Sequence, residues 1–230
     1  MTPSERSIKL LADDPKADDP KGVERILSAA LGCFANQGFH ATSVRDIARV
    51  SEMSVANLYY HFPSKVEILA YLVVNAVREQ IDIASRTLER MPDDPASRLG
   101  ALVHVHVHRN AKYQAETFVA NAELRSLDAS NQLSFINIRD ELQRMFDQAV
   151  LDGVAQGVFI CPFPLEASRA IVTMCTAVAG WYKKGGPLSP TALADQYVLF
   201  ALTMLRCDPD VVARVQMLVA QNIRRGARRR

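Results

Sequence analysis

The chain has 230 residues and a mass of 25.5 kDa; it is 49% hydrophobic and 23% charged, a globular composition with enough length for a sizeable core, which excludes wholesale disorder. No apolar run reaches the ~18 residues of a membrane helix, and the polar, acidic start from Met1 to Pro20, where Ile8, Leu10 and Leu11 form a short apolar knot, does not read as a signal peptide. The net charge of +2 is uneven: residues 206–230 hold seven Arg against two Asp, residues 66–205 twelve bases against fifteen acids, and residues 21–65 five bases against three acids.

Residues 1–20 read as a flexible N-terminal tail. After Lys21 almost every segment has helical period. Ile26, Ala30 and Phe34 recur at i, i+4 and i+8, with Leu27 and Leu31 beside them, and Gly38 follows as a stop. Thr42 or Ser43 caps a second short helix whose Val44, Ile47 and Ala48 share a face. Ser51-Glu52-Met53 breaks it, and Ser54 caps a third helix running to His61. Pro63 interrupts, and Ser64 caps a long fourth helix to about Met91. Beyond Pro95 the pattern predicts helices at about 96–109, 112–127, 130–156, 165–183, 190–206 and 209–225. The fold class expected is all-α.

Four cysteines (Cys33, Cys161, Cys175, Cys207) are widely separated without a CxxC pair, the usage of a reducing cytosol and hence a cytoplasmic protein. No Gly-rich phosphate loop, nucleophile elbow or Ser/His/Asp spacing is present, so neither catalysis nor a cofactor is expected. His104 and His108 share a helix face at i, i+4, a spacing that holds a metal, whereas His106 points elsewhere. No Asp, Glu or Cys completes that set, and the bland reading is packing or a pocket wall; the alternative function is a helical metal-binding protein or enzyme using His104 and His108.

Three short helices over residues 22–62, the last two joined by a tight turn, make a candidate helix-turn-helix. Such a unit places its recognition helix in the DNA major groove and grips phosphates with flanking polar groups. In Ser54-Val55-Ala56-Asn57-Leu58-Tyr59-Tyr60-His61-Phe62, Leu58 and Phe62 anchor the helix to a core, which frees Val55, Ala56, Asn57 and Tyr60 to face outward.

The run Thr42-Ser43-Val44-Arg45-Asp46-Ile47-Ala48, then Leu58-Tyr59-Tyr60-His61-Phe62-Pro63-Ser64-Lys65, preceded by Phe34-Ala35-Asn36-Gln37-Gly38-Phe39, resembles the signature of TetR-type transcriptional regulators. The motif spans about 45 residues, and the rest of the chain is similar in length and helical content to that family's ligand-binding domain. The resemblance implies an N-terminal DNA-binding domain at 21–66, a ligand-binding and dimerisation domain at 67–206, and a basic helical extension at 207–230. It implies phosphate contacts from Ser43, Tyr59, His61 and Lys65, and base-reading positions at Arg45, Val55, Ala56, Asn57 and Tyr60. Arg pairs with guanine and Asn with adenine, while Val and Ala offer apolar contact to a thymine methyl. One departure stands out: Glu52 occupies a turn position where the family usually has Gly, which costs about 1 kcal/mol or forces another turn geometry. It keeps alive a third reading, a ligand-binding protein that has lost its operator.

The same resemblance implies partners: a palindromic double-stranded DNA operator, a second copy of the chain and a small hydrophobic effector, with no membrane. The dimer helices would be 165–183, through Ile171, Met174, Cys175 and Val178, and 190–206, through Leu193, Tyr197, Phe200, Ala201 and Met204. Trp181-Tyr182 followed by Gly186-Pro187-Leu188-Ser189-Pro190, together with Glu123-Leu124-Arg125-Ser126-Leu127, is similar to a subset of the family in which several members sense acyl-CoA thioesters. Phe118, Asn121 and Arg125 recur at i, i+3 and i+7, a mixed apolar and polar face suited to a pocket. With His104, His108, Met174, Val178 and Trp181 they form the candidate effector site, and Lys183 and Lys184 suit an acidic ligand at its mouth.

Overall fold

The computed structural model describes the backbone of residues 19–228 and the side chains of residues 19–222. The N-terminal tail up to residue 18 and the side chains of the arginine-rich end lie outside the described residues. Among the described residues there are ten α-helices, one 3-10 turn and no strand: α1 (Pro20–Gln37), α2 (Val44–Val50), α3 (Val55–His61), α4 (Lys65–Leu88), α5 (Pro95–Lys112), α6 (Gln114–Ala122), the 3-10 turn Leu124–Ser126, α7 (Ala129–Ala155), α8 (Pro164–Trp181), α9 (Pro190–Met204) and α10 (Pro209–Arg228). None of these helices is long and apolar enough to cross a membrane.

Local chemistry sets these boundaries. Five helices begin on proline, whose fixed φ suits the first helical position and whose missing N–H costs nothing there. Asp19 caps α1 by accepting from the Gly22 N–H at 3.0 Å, and Ser189 caps α9 by accepting from the Ala192 N–H at 3.1 Å. At the end of α7 the N–H of Val158 reaches the carbonyl of Gly153 at 2.8 Å, with Gly157 at φ +70° supplying the left-handed residue that closes the helix. One expectation fails in the middle of the chain. The helix predicted over 112–127 is broken: α6 stops at Ala122, and the chain tightens into the 3-10 turn before α7.

The chain divides into two compact units. One holds the residues up to Glu79 together with Tyr113–Arg139; the other holds Gln80–Lys112 and the chain from Asp140 on. The core of the first unit gathers Ile26, Leu27, Ala30 and Phe34 of α1, Ile47 of α2, Leu58 of α3, Ile68 and Leu69 of α4, Val119 of α6 and Phe135 of α7. Burying each such side chain contributes about 1.5–3 kcal/mol, and contacts from α6 and α7 are thus part of what holds α1 to α3 together.

In the second unit α5 is the central element, packed against α8, α9 and α10. Its stretch His104-Val105-His106-Val107-His108 is helical rather than strand. Gly100 permits the approach of α10, because a Cβ at that position would stand 2.4 Å from a Val215 methyl. Enclosure on several sides buries not only Leu99, Val103 and Val107 but also His104, His106, Arg109 and Asn110.

Candidate nucleic-acid interface

The DNA-reading candidates are held by short-range polar contacts. Ser43 and Asp46 form a reciprocal capping box: the Ser43 hydroxyl accepts from the Asp46 N–H at 3.1 Å, and the Asp46 carboxylate accepts from the Ser43 N–H at 3.0 Å and from its hydroxyl at 2.6 Å. These bonds from Ser43, with a further one from Arg49, hold the Asp46 carboxyl below its ordinary range. Arg45 lies on the first turn of α2 and is exposed.

The turn that follows keeps a glycine-type geometry without glycine. The N–H of Met53 donates to the carbonyl of Ala48 at 2.9 Å and the N–H of Glu52 to that of Arg49 at 3.3 Å, with Glu52 at φ +55°. These are the 6→1 and 5→2 bonds of a helix closure whose penultimate residue is left-handed. Of the two outcomes open in the sequence, the strained residue in the usual turn is the one adopted. Ser54 then caps α3, accepting from the Asn57 N–H at 3.1 Å.

On α3, Leu58 is wholly buried while Ala56 and Asn57 are exposed; Tyr59 and Tyr60 are 49% and 68% exposed. Two candidates do not face out as anticipated. Val55 is half-buried against the core of its unit, because the first residue of so short a helix lies over the preceding turn. The His61 side chain is only 6% exposed, with Nε2 3.9 Å from the Asp19 carboxylate; the start of α1 covers it. Lys65 is also engaged internally. Its ammonium donates to the carbonyls of Phe39 at 2.7 Å and Thr42 at 2.6 Å and stands 4.1 Å from the centre of the Phe39 ring. Loss of solvation lowers its pKa, opposed by the Glu123 charge. Of the three donors of an ammonium, these two carbonyls take two.

The effector candidates are more dispersed. Phe118 and Asn121 are exposed in the first unit, as is Arg125, and the break at Ala122 puts Arg125 on the 3-10 turn, off the helix that carries the other two. In the second unit Val178 is wholly buried, Met174 half-buried and Trp181 exposed at the end of α8. His104 is 3% exposed and stacks on His108 with ring centres 6.0 Å apart. Burial, and secondarily His108, pushes its pKa down to about 3. The ring is therefore neutral, and its Nε2, 3.4 Å from an Asp195 carboxylate oxygen, makes no ion pair and lacks hydrogen-bond geometry. Among the described residues no group of three or more His, Cys, Asp or Glu could hold a metal ion.

On the candidate dimer helices, Ile171 and Cys175 join Val178 in the core, as do Leu193 and Ala201. The large apolar side chains exposed on α9 are Leu199, Phe200 and Met204. An open cavity of about 720 Å³ in the first unit lies along α4, lined by Tyr60, Phe62, Tyr71, Val74 and Arg78 among others. None of the effector candidates lines it.

Glu123 and His106 carry structural roles that were not anticipated. Glu123 accepts from the backbone N–H of Phe39 at 3.0 Å across 84 positions of sequence. His106 bridges Gln80 and Thr176, 2.8 Å from the latter. Because the Thr176 hydroxyl donates to the Val172 carbonyl at 2.9 Å, it must accept from His106 Nε2–H, which leaves Nδ1 to accept from the Gln80 amide.

Family comparisons agree with this geometry. Residues 26–72 match the family model described as bacterial regulatory proteins, tetR family, and residues 92–205 match that described as tetracyclin repressor-like, C-terminal domain. The HTH-type transcriptional repressor KstR2 of Mycolicibacterium smegmatis is 27% identical over 201 residues, covering 84% of this chain and 94% of the relative. The crystal structure of the TetR family transcriptional regulator PfmR from Thermus thermophilus is 30% identical, covering 78% of this chain and 97% of that one, with a TM-score of 0.72. A regulatory protein of the tetR family from Rhodococcus RHA1 is 28% identical, with coverage of 82% and 98% and a TM-score of 0.76. With a capped recognition helix, its preceding turn and a helical second half all in place, the chain belongs to the TetR family of DNA-binding transcriptional regulators.

Proposed function

We propose that the protein is a homodimeric repressor that holds a near-palindromic operator and releases it when a small hydrophobic effector binds. Residues 21–66 read the DNA, residues 67–206 bind the effector and pair the subunits, and the protein works in the cytoplasm. The observation that carries this reading is the outer face of α3, where Ala56, Asn57, Tyr59 and Tyr60 stand exposed above a buried Leu58. Asn57 reads an adenine edge and Tyr60 a neighbouring base, while Ser43, Tyr59 and the remaining Lys65 donor set the register on phosphates. Arg45 reaches a base from α2, and Val55 and His61, the first and last residues of α3, anchor its two ends to the rest of the unit.

Repression follows the naming of KstR2, to which the chain is similar. One head reads few base pairs, so two heads on half-sites roughly 34–36 Å apart supply the affinity. Exposed Phe200, Leu199 and Met204 on α9 supply apolar surface for pairing. Acyl-CoA thioesters are the effector class favoured by the Trp181–Pro190 motif, with Trp181, Phe118, Asn121, Arg125, Met174, Val178, His104 and His108 as the residues to test.

The test is footprinting on the DNA upstream of its own coding region and on duplexes selected from a random pool, with and without acyl-CoA esters, while following Trp181 emission. Protection of a palindrome, lost on adding an ester that changes the emission, is the expected result. A monomer by light scattering at micromolar concentration would overturn the dimer. Release by an ester that leaves Trp181 emission unchanged and acts equally on Arg125→Ala would move the pocket elsewhere.

A further inference from the structure

The loop between α1 and α2, residues 38–42, sets where the first DNA-facing helix begins. It is gripped from two sides. From one side the Lys65 ammonium takes the carbonyls of Phe39 and Thr42. From the other, one Glu123 oxygen accepts from the Phe39 N–H at 3.0 Å, the second accepts from the Ser126 hydroxyl at 2.9 Å, and that hydroxyl lies 3.2 Å from His40 Nε2. Gly38, at φ +81°, begins the loop, and Thr42, 1% exposed, closes it by donating to the Gly38 carbonyl at 2.7 Å. The next residue is Ser43, the cap of α2. Glu123 is thus joined to the start of α2 through one peptide N–H and the short run of loop from Phe39 to Thr42.

We propose that Glu123 is a positioning residue for operator recognition: through Phe39 it fixes the α1–α2 loop, and with it the placement of Ser43 and Arg45 on DNA. A charged acceptor on a backbone N–H is short and strong, and Lys65 binds the carbonyl of the same residue whose N–H Glu123 holds. The loop is therefore clamped between opposite charges. Ser126 and His40 add a second tie from the 3-10 turn. Glu123 touches no DNA in this scheme; it acts through the loop. The inference rests on the DNA-reading role given to α2 and α3.

The experiment first enriches binding sequences from a pool of random duplexes with the unmutated protein. Glu123→Ala, Glu123→Gln and Glu123→Asp are then compared on the enriched duplex and on a scrambled duplex by fluorescence anisotropy at one salt concentration, alongside amide hydrogen exchange over residues 38–42. Glu123→Ala should lose at least about tenfold affinity for the enriched duplex, stay within about twofold on the scrambled one, whose binding depends on phosphate charge, and exchange faster at Phe39 and His40. Glu123→Gln keeps an oxygen acceptor and should lose less than about threefold. Should the alanine variant not fold, Glu123→Asp, which keeps the charge but withdraws the oxygens by one methylene, should show the same split. Equal losses on both duplexes, or unchanged exchange at Phe39, would overturn the proposal. If the unmutated protein enriches no sequence, the DNA-reading role fails, and exchange over residues 38–42 still decides whether Glu123 holds the loop.

Discussion

The two units use polar side chains in opposite ways. In the first, Ser43, Ser54 and Asp46 direct their hydrogen bonds to nearby backbone at the surface, where water competes and each bond is worth about 1 kcal/mol. In the second, His104 and His106 lie inside the packing around α5, where a lost partner is not replaced by water. A unit that must present groups to DNA keeps the polar residues of its DNA-facing helices at the surface, while Thr42, Ser51 and Glu116 are buried within it. A unit whose central helix is enclosed has built its polar residues into the fold.

That contrast is broken most sharply at His106. His106→Ala removes a ring packed edge-on against Phe146 and strands the Gln80 and Thr176 groups it bridges. It should cost about 4 kcal/mol in urea unfolding, the sum expected of a cavity and unsatisfied buried groups. A cost below about 1 kcal/mol would put His106 in the same class as the surface caps.

Acid should separate the units next. Unfolded, His104 titrates near its ordinary 6.5; folded, it resists the proton down to about 3. Below pH 6.5 the unfolded chain therefore binds a proton that the folded chain refuses, so stability is lost as pH falls from about 6.5 toward 3. The loss attributable to this group is about 2 kcal/mol at pH 5. Burial lowers His108 as well, so its contribution has the same sign. Urea midpoints at pH 7 and pH 5 should converge in His104→Leu relative to the unmutated chain; an undiminished gap would show that other groups carry the acid sensitivity.

Changes on the outer face of α3 should act on DNA and not on folding. Asn57→Ala should relax preference at one base position by about 1–3 kcal/mol, measured against a panel of single-base variants, with the melting temperature within about 1 °C of the unmutated value. Lys65→Ala should lower the salt slope by about one through the lost phosphate contact and, because it frees the Phe39 and Thr42 carbonyls that hold the α1–α2 loop, weaken an enriched duplex more than a scrambled one. Because Lys65 also clamps residues 39 and 42, its loss should in addition destabilise the fold by about 1–2 kcal/mol. Intact stability in Lys65→Ala would mean that the clamp is weak in solution.

The smallest effect expected is a gain. At φ +55° Glu52→Gly should relieve the left-handed strain and stabilise by about 0.5–1 kcal/mol in thermal unfolding. A loss would show that the Glu52 side chain offsets its own backbone cost.

What could be read in the sequence follows the range of the interactions. Ser54 before a short helix, Pro190 after Ser189 and the Leu58–Phe62 spacing are local signals, and the recognition helix and the all-α class came from them. The inward turn of His61 depends on Asp19, far back in the chain, and the role of Glu123 on Phe39, 84 positions away; periodicity has no access to either. Helical period also marks an apolar face without saying what covers it. Ile171, Cys175 and Val178 read as a surface for a second subunit, yet they are buried within their own unit, where α8 packs on α5. The 112–127 helix failed for a related reason: its apolar spacing continues through Glu123, but the Glu123 carboxylate is engaged by a distant backbone group and the chain there tightens.

The discontinuity of the first unit limits how this regulator could be recombined. Anyone building a biosensor by grafting its DNA-reading head onto a foreign sensor would be tempted to cut after residue 66, where the motif ends. Such a fragment leaves behind Val119, Leu127 and Phe135 from the head's own core, and the carboxylate that holds Phe39. The transferable module is non-contiguous, running to Glu79 and resuming at Tyr113. Any functional chimaera would have to import residues 113–139 with the head or evolve replacements for them.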